Sequence, residues 1–244
     1  MAKGSKKKST LKQFRQKLWR WSKKIFFWAF FLHLFYIILL KWVNPPITIT
    51  QLSSWVSGHG LKRDYVSRKN ISPFAGLAVI ASEDQLFPDH NGFDWKSIKK
   101  AMSYNKRKPG RIRGASTISQ QVAKNVFLWQ GRSWIRKGLE SYFTFMIELL
   151  WGKKRILEVY LNVIEMGEGI FGIEQAANSY FGKSAKNLTR QEAALIAACL
   201  PNPKRYKVKP VSSFVSFRSG VIMRQMNNLG TDPDIRRVTG LPPP

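Results

Sequence analysis

An apolar stretch near the N-terminus constrains the fold of this chain more than any other feature. Residues 25–40 are apolar apart from His33. Extended to Val43, the stretch reaches about 19 residues, which is enough to cross the hydrocarbon core of a bilayer if Lys24 and Lys41 reach towards the head groups. The sequence therefore predicts a single transmembrane helix over 25–43.

The charges on either side of this stretch predict its orientation. Residues 3–24 carry ten Lys and Arg, and residues 1–60 contain no Asp or Glu. Because basic flanks stay on the cytoplasmic side, we expect 1–24 to form a cytoplasmic tail. The chain after the transmembrane helix should then lie on the opposite side of the membrane. A cleaved signal peptide is the alternative, although Lys-Trp-Val-Asn-Pro-Pro after the stretch offers no small-residue cleavage pattern.

Composition limits the partners without choosing among them. The formal net charge is +27, which implies a polyanionic partner. Nucleic acid, anionic lipid head groups and substrates that carry pyrophosphate all satisfy this requirement. Cys199 is the only cysteine in the sequence, which excludes an internal disulfide and a cysteine metal cluster. We expect Cys199 to be buried as a small apolar residue.

The remainder divides into a linker over 44–70, a helical domain over 71–230 and a C-terminal tail over 231–244. Asn44-Pro45-Pro46 ends the first helix, and Ile47–Gly60 is expected to be extended. Helical spacing dominates after Ser72, and alternating β-branched runs are few, so the predicted fold is mainly α.

Capping residues predict where the helices of this domain begin. The predicted caps are Ser72, followed by Pro73, then Asp94, Ser116, Ser133 and the Thr189–Glu192 capping box. The first of these helices ends at Glu83. The Lys-, Arg-, Pro- and Gly-rich segment Asn105–Arg113 is expected to be a mobile loop.

Two separated carboxylates, Glu83 and Glu140, are surrounded in sequence by amides, hydroxyls and cations. Such a set suits a site that removes a proton from one oxygen while it holds a phosphate-bearing leaving group. A plainer interpretation stays open for the helix after Ser133. Its polar residues at every fourth position, from Arg136 to Glu148, could form a solvated face with ion pairs, opposite an apolar stripe of Trp134, Tyr142, Phe145, Met146 and Leu149.

Four motifs in one order resemble those of the peptidoglycan glycosyltransferases, the family that includes the glycosyltransferase domain of class A penicillin-binding proteins. The resemblance covers about residues 74–203. The matching motifs are Glu83-Asp84-x-x-Phe87-x-x-His90-x-Gly92, Gly114-x-Ser116-Thr117-Ile118-x-Gln120-Gln121-x-x-Lys124-Asn125, Arg136-Lys137-x-x-Glu140, and Lys154-x-Ile156-Leu157-Glu158-x-Tyr160-Leu161-Asn162.

The resemblance implies a lysozyme-like glycosyltransferase domain behind the transmembrane helix, with a membrane-facing part before and around Gly114. It also implies polymerisation of lipid II into β-1,4-linked glycan strands, by inverting transfer with release of undecaprenyl diphosphate. Glu83 would be the general base, and Glu140 would act at the pyrophosphate. Binding of pyrophosphate and substrate would fall to Ser116, Thr117, Gln120, Gln121, Lys124, Asn125, Arg132, Arg136 and Lys137.

The same resemblance implies the surroundings of the enzyme. The partners would be lipid II, the nascent glycan strand, the bilayer and other cell-wall synthesis proteins such as those of the divisome, and nucleic acid would not be one. The location would be the bacterial inner membrane, with the catalytic domain in the periplasm. No cofactor is firmly implied, although a divalent cation, Mg²⁺ or Mn²⁺, is one way in which Glu140 could act.

Two alternatives stay open, one of them also an enzyme. A peptidoglycan-cleaving lytic transglycosylase or muramidase also uses a Glu at a helix end, and a membrane-anchored protein could bind polyanions without chemistry. A transpeptidase is not expected, because Ser-Asp-Asn and Lys-Thr-Gly do not occur in the sequence.

Overall fold

The computed structural model describes residues 3–108, 110, 113–131 and 133–243, and from Gln13 onwards it describes their side chains. The chain forms two compact units, residues 1–43 and 44–244. Three residues of the predicted mobile loop, Pro109, Arg111 and Ile112, lie outside the described residues.

The first unit is a single helix, α1 (Lys3–Leu39), which continues from the basic tail into the apolar stretch without a break. Within Gln13–Leu39 an 18-residue window has a mean hydropathy of 1.5, so this part of the helix is long and apolar enough to cross a membrane. Large apolar side chains such as Phe26, Trp28 and Leu32 are exposed along it. Because such side chains need an apolar surrounding, this helix fits the predicted membrane anchor.

The second unit is mainly helical, as predicted. Its helices are α2 (Ile49–Val56), α3 (Pro73–Glu83), α4 (Trp95–Arg107), α5 (Ile118–Phe127), α6 (Trp134–Leu150), α7 (Lys153–Val163), α8 (Ile173–Phe181), α9 (Arg190–Cys199), α10 (Ser213–Leu229) and α11 (Pro233–Thr239). Two short 3₁₀ turns, Arg68–Asn70 and Ala185–Asn187, complete the helical part.

Three short strands form a small sheet that joins the segment after α2 to the segment after α7. Strand β1 (Lys62–Arg63) pairs in parallel with β3 (Ile170–Phe171), with Lys62 opposite Ile170. Strand β2 (Glu165–Gly167) pairs with β3 in antiparallel orientation. The order β1-β3-β2 brings the residues that follow α2 beside the hairpin.

Helix α3 is the centre of the core because nearly all of its side chains are apolar. Leu77, Ala78 and Ile80 have no exposed surface, and the helix packs against α7, α9, α10 and α11. A helix that is apolar on all sides must be buried. Its last two residues, Ser82 and Glu83, are polar and only partly buried.

The linker prediction is wrong over Ile47–Gly60, because Ile49–Val56 is helical. The hydroxyl of Thr48 accepts the amide of Gln51 at 3.2 Å, and the Gln51 side chain accepts the amide of Thr48 at 3.1 Å. This capping box is visible in the sequence as Thr-x-x-Gln, and it stabilises a helix of only eight residues. The buried Gln51 side chain also donates to Tyr65 at 2.9 Å, which fixes α2 to the domain.

The solvated polar face considered for α6 is also wrong, since its two faces are reversed. Glu140 and Thr144 are buried against the domain, whereas Trp134 and Ile135 are 92% and 75% exposed. The exposed apolar face also includes Leu139, Tyr142, Phe145 and Leu149. Charged side chains are buried here because each finds a partner, as described below.

Gly92 allows the turn after α3 to pack against α6. Its φ is +87°, and a Cβ atom there would lie 2.7 Å from Thr144 Cγ2 and 3.1 Å from Glu148 Cγ. Both the backbone conformation and the lack of space exclude other residues.

We therefore expect Gly92→Ala to destabilise the protein by about 2–4 kcal/mol, from the strain of positive φ and from overpacking. Thermal unfolding in detergent measures the effect. Gly220→Ala is the matched control, because Gly220 lies within α10 with nothing within 4 Å of its Cβ position. It should leave the melting temperature unchanged or slightly higher. Equal melting temperatures for the two variants would contradict the packing argument.

Candidate active site

Glu83 is placed by the C-terminal end of α3 and held by side chains from three directions. Its Oε1 accepts a hydrogen bond from Ser82 Oγ at 3.1 Å, and its Oε2 accepts one from Gln121 Nε2 at 3.0 Å. The guanidinium of Arg218 lies 3.7 Å from Oε1. The Glu83 side chain is 15% exposed, so it is ordered by the protein yet open to a ligand.

Asp84, the next residue, has a structural role. It is buried, and its Oδ2 accepts the amide of Ile118 at the start of α5 at 2.9 Å. His90 Nδ1 accepts the amide of Gly92 at 3.2 Å, so the proton is on Nε2, which donates to Asp84 at 3.0 Å. The Glu-Asp…His-x-Gly motif therefore joins the end of α3 to the beginning of α5.

Lys153 fixes the same turn from the other side. Its ammonium group donates to the carbonyl of His90, pairs with Glu148 at 2.7 Å and lies 4.6 Å from the centre of the Phe87 ring. Glu148 in turn accepts a bond from Ser119 at 2.5 Å. These contacts are the reason why the polar stripe of α6 faces inwards.

A cleft of about 1170 Å³ opens in front of Glu83. Of the predicted binding residues, Ser116, Thr117 and Gln121 line it. Cations line it on several sides, namely Lys96, Lys100, Arg113 and Arg218. A cleft of this size with cationic walls suits a large anionic substrate.

A second pocket of about 360 Å³ adjoins this cleft, because Gln121 and Pro201 line both. It contains the predicted residues Lys124 and Asn125, together with Lys204. The predicted site therefore has two compartments that meet at Gln121.

Lys124 is the cation best suited to hold an anion in the second pocket. In the part of the chain that the structure describes, its ammonium group has no hydrogen bond or ion pair. Burial lowers the pKa of Lys124, and Arg136 and Lys137 lower it further, whereas Glu140 and Glu83 oppose the shift. A half-buried amine in this position gains an ion-pair partner when a phosphate binds.

Glu140 is buried on α6 and paired with two cations. Arg136 Nη1 lies 2.9 Å from its Oε2, and Lys137 Nζ lies 2.5 Å from its Oε1. Among the described residues, no group of three or more His, Cys, Asp or Glu side chains could hold a metal ion. A carboxylate with both oxygens on cations does not fit a divalent cation site, so we assign Glu140 to the positioning of Arg136 and Lys137.

The remaining predicted residues differ in exposure. Ser116 is exposed in the large cleft, but the helix cap is Thr117, one residue later than predicted. Thr117 and Gln120 are buried and satisfy each other in a capping box, so Gln120 does not line either compartment. Arg132 lies outside the described residues.

Three residues without a predicted role complete the site. Thr50 in α2 donates to Asn125 Oδ1 at 3.1 Å and so orients its amide. Tyr160 donates to Gln121 Oε1 at 3.2 Å, and Arg218 donates to Ser82 Oγ at 3.1 Å. The family motif contains Tyr160, but no local signal marks Thr50 or Arg218.

Cys199 is buried as predicted, and burial raises the pKa of its thiol to about 12.

A family model described as "Transglycosylase" matches residues 49–227. A biosynthetic peptidoglycan transglycosylase of Shigella boydii is 54% identical over 210 residues, which cover 85% of this chain and 86% of that protein. A protein of the same name from Escherichia coli is 58% identical over 186 residues, with 75% and 77% covered.

These matches span the helices that carry both compartments of the site. They agree with a mainly α domain that follows one N-terminal apolar helix. The chain therefore belongs to the peptidoglycan transglycosylase family and is a glycosyltransferase.

Proposed function

We propose that the protein polymerises lipid II into linear β-1,4-linked glycan strands, by inverting glycosyl transfer that releases undecaprenyl diphosphate. One observation carries the proposal. A carboxylate, Glu83, opens into a large cleft, and an unpaired ammonium group, that of Lys124, lies in the adjoining pocket on the other side of Gln121. A base and an anion-binding group are thereby separated as an inverting displacement requires.

In the proposed reaction, the acceptor lipid II occupies the large cleft. Glu83 removes the proton of its 4-hydroxyl group, and the oxygen attacks the anomeric carbon of the growing strand. The bond from that carbon to the pyrophosphate oxygen breaks as the new glycosidic bond forms. Because attack and departure occur on opposite faces, the configuration at the carbon is inverted.

The leaving pyrophosphate is proposed to bind at Lys124, with Arg136 and Lys137 contributing charge from α6. Arg136 and Lys137 lie close enough to Lys124 for their charges to lower its pKa, so an anion bound at Lys124 would also be attracted by the other two cations. Pyrophosphate is a good leaving group that needs charge stabilisation more than a strong acid, and three cations supply that charge. Glu140 keeps two of them aligned.

A lipid-borne substrate requires contact with a bilayer, and we propose that the exposed face of α6 provides it. This face presents Trp134, Ile135 and Leu149, which are 92%, 75% and 67% exposed. Large exposed apolar patches mark membrane or protein contacts. The basic residues in the N-terminal part of α1 favour a cytoplasmic N-terminus, which places the domain on the periplasmic side of the inner membrane. The divisome remains a proposed partner, and we expect no transpeptidase activity.

Incubation of the detergent-solubilised protein with labelled lipid II tests the function directly. Long, lysozyme-sensitive glycan is the expected product, and a parallel reaction with a chelator tests whether a divalent cation takes part. Purified sacculi should stay intact. Digestion of sacculi without use of lipid II would instead support the lytic alternative, and neither activity from well-folded protein would support the polyanion-binding alternative.

A further inference from the structure

We propose that Tyr160 is a positioning residue for the reaction and acts on Glu83 through the side-chain amide of Gln121. This inference rests on the proposed role of Glu83 as the general base. It gives a function to a buried hydroxyl group that does not line either compartment of the site.

The three side chains form a continuous chain of hydrogen bonds from the core to the cleft. Tyr160 on α7 has no exposed surface, and its hydroxyl group donates to Gln121 Oε1 at 3.2 Å. Gln121 on α5 then donates through Nε2 to Glu83 Oε2 at 3.0 Å. Glu83 ends α3, so the chain links three helices at the point where the proton is transferred.

The direction of these bonds follows from charge. Burial raises the pKa of Tyr160 well above its ordinary value, and the charge of Glu83 raises it further, so the phenol keeps its proton. A neutral phenol beside the amide oxygen donates to it, and this leaves the NH₂ group of Gln121 facing the carboxylate. The reversed amide would place its oxygen against Glu83, which the electrostatics disfavour.

A second set of contacts holds the other carboxylate oxygen. Ser82 Oγ donates to Glu83 Oε1 at 3.1 Å, and Arg218 Nη2 donates to Ser82 Oγ at 3.1 Å. With both oxygens fixed, the plane of the carboxylate cannot rotate freely. Each oxygen keeps a lone pair for the acceptor hydroxyl group, and fixed geometry is what a general base needs.

The experiment replaces Tyr160 with Phe, which removes one oxygen atom and leaves the ring in the core. We expect kcat for lipid II polymerisation to fall about tenfold, while KM changes by less than about twofold, because substrate contacts are intact and only alignment of the base is lost. Tyr180→Phe is the matched control. Its hydroxyl group donates to the carbonyl of Met166 at 2.9 Å and lines neither compartment.

If the role of both hydroxyl groups were purely structural, both Phe variants would melt at lower temperatures. Their kcat, measured at a temperature well below melting, would then be unchanged. Equal kcat for the Tyr160 and Tyr180 variants would therefore overturn the inference. Gln121→Met is a second test that leaves the phenol in place, and wild-type kcat for it would also overturn the inference. The Tyr160→Phe change should have little further effect in the Gln121→Met background, because both changes break one chain of contacts.

Glu83→Gln, assayed beside these variants, separates the two claims. An inactive Glu83→Gln with a normal Tyr160→Phe overturns the role of Tyr160 alone. Near wild-type turnover by Glu83→Gln overturns the assignment of the base and this inference with it.

Discussion

Glu83→Gln is expected to reduce the rate of glycan polymerisation by about 10³-fold or more, since general-base catalysis contributes on the order of 10²–10⁴-fold. Glutamine has the same shape and can keep hydrogen bonds to Ser82 and Gln121, but it cannot accept a proton at neutral pH. The loss should appear in kcat, with binding of lipid II retained. Single-turnover polymerisation with enzyme in excess over labelled lipid II measures the chemical step.

The control for this variant is Glu168→Gln, which neutralises a half-exposed carboxylate that lines neither compartment. It should polymerise at the wild-type rate, and both variants should unfold at wild-type temperatures within a few degrees. If Glu83→Gln retained more than about a tenth of wild-type turnover, another group would have to serve as the base.

The sequence predicted helix starts well where a capping side chain marks them. Asp94, Ser133 and Thr189 cap α4, α6 and α9 as expected, because a capping side chain accepts an amide only a few residues away. The same rule was available for Thr48 and Gln51. The nearby prolines and glycines led to the prediction of an extended linker there. The capping box instead stabilises a helix.

Burial and long-range contacts could not be predicted in the same way. The polar stripe of α6 faces inwards because Ser119 and Lys153 meet Glu148, and those partners come from other helices. Arg218 reaches Ser82 across 136 residues of sequence. Such contacts depend on tertiary packing, so the motifs contain Glu83, Gln121 and Tyr160, whereas no sequence signal marks Arg218 as a neighbour of Glu83.

Lys124→Met is expected to lower kcat/KM for lipid II by about 10²-fold, the order of effect found when one donor to a developing anion is lost. Methionine preserves the length and apolar stem of lysine, so α5 should remain folded. The matched control is Lys99→Met on α4, which removes an exposed ammonium group that lines neither compartment. A loss of less than about threefold for Lys124→Met would show that the leaving pyrophosphate binds elsewhere.

The pH dependence of kcat/KM gives an independent test of the same group. Burial lowers the pKa of Lys124 below its ordinary 10.5, so the ammonium group loses its proton earlier than a surface lysine as the pH rises. Below this lowered pKa the group is charged and binds phosphate; above it the charge is lost and kcat/KM falls. Lys124→Arg keeps its charge throughout this range. Its alkaline limb should move to higher pH, and an unchanged limb would assign the titration to another residue.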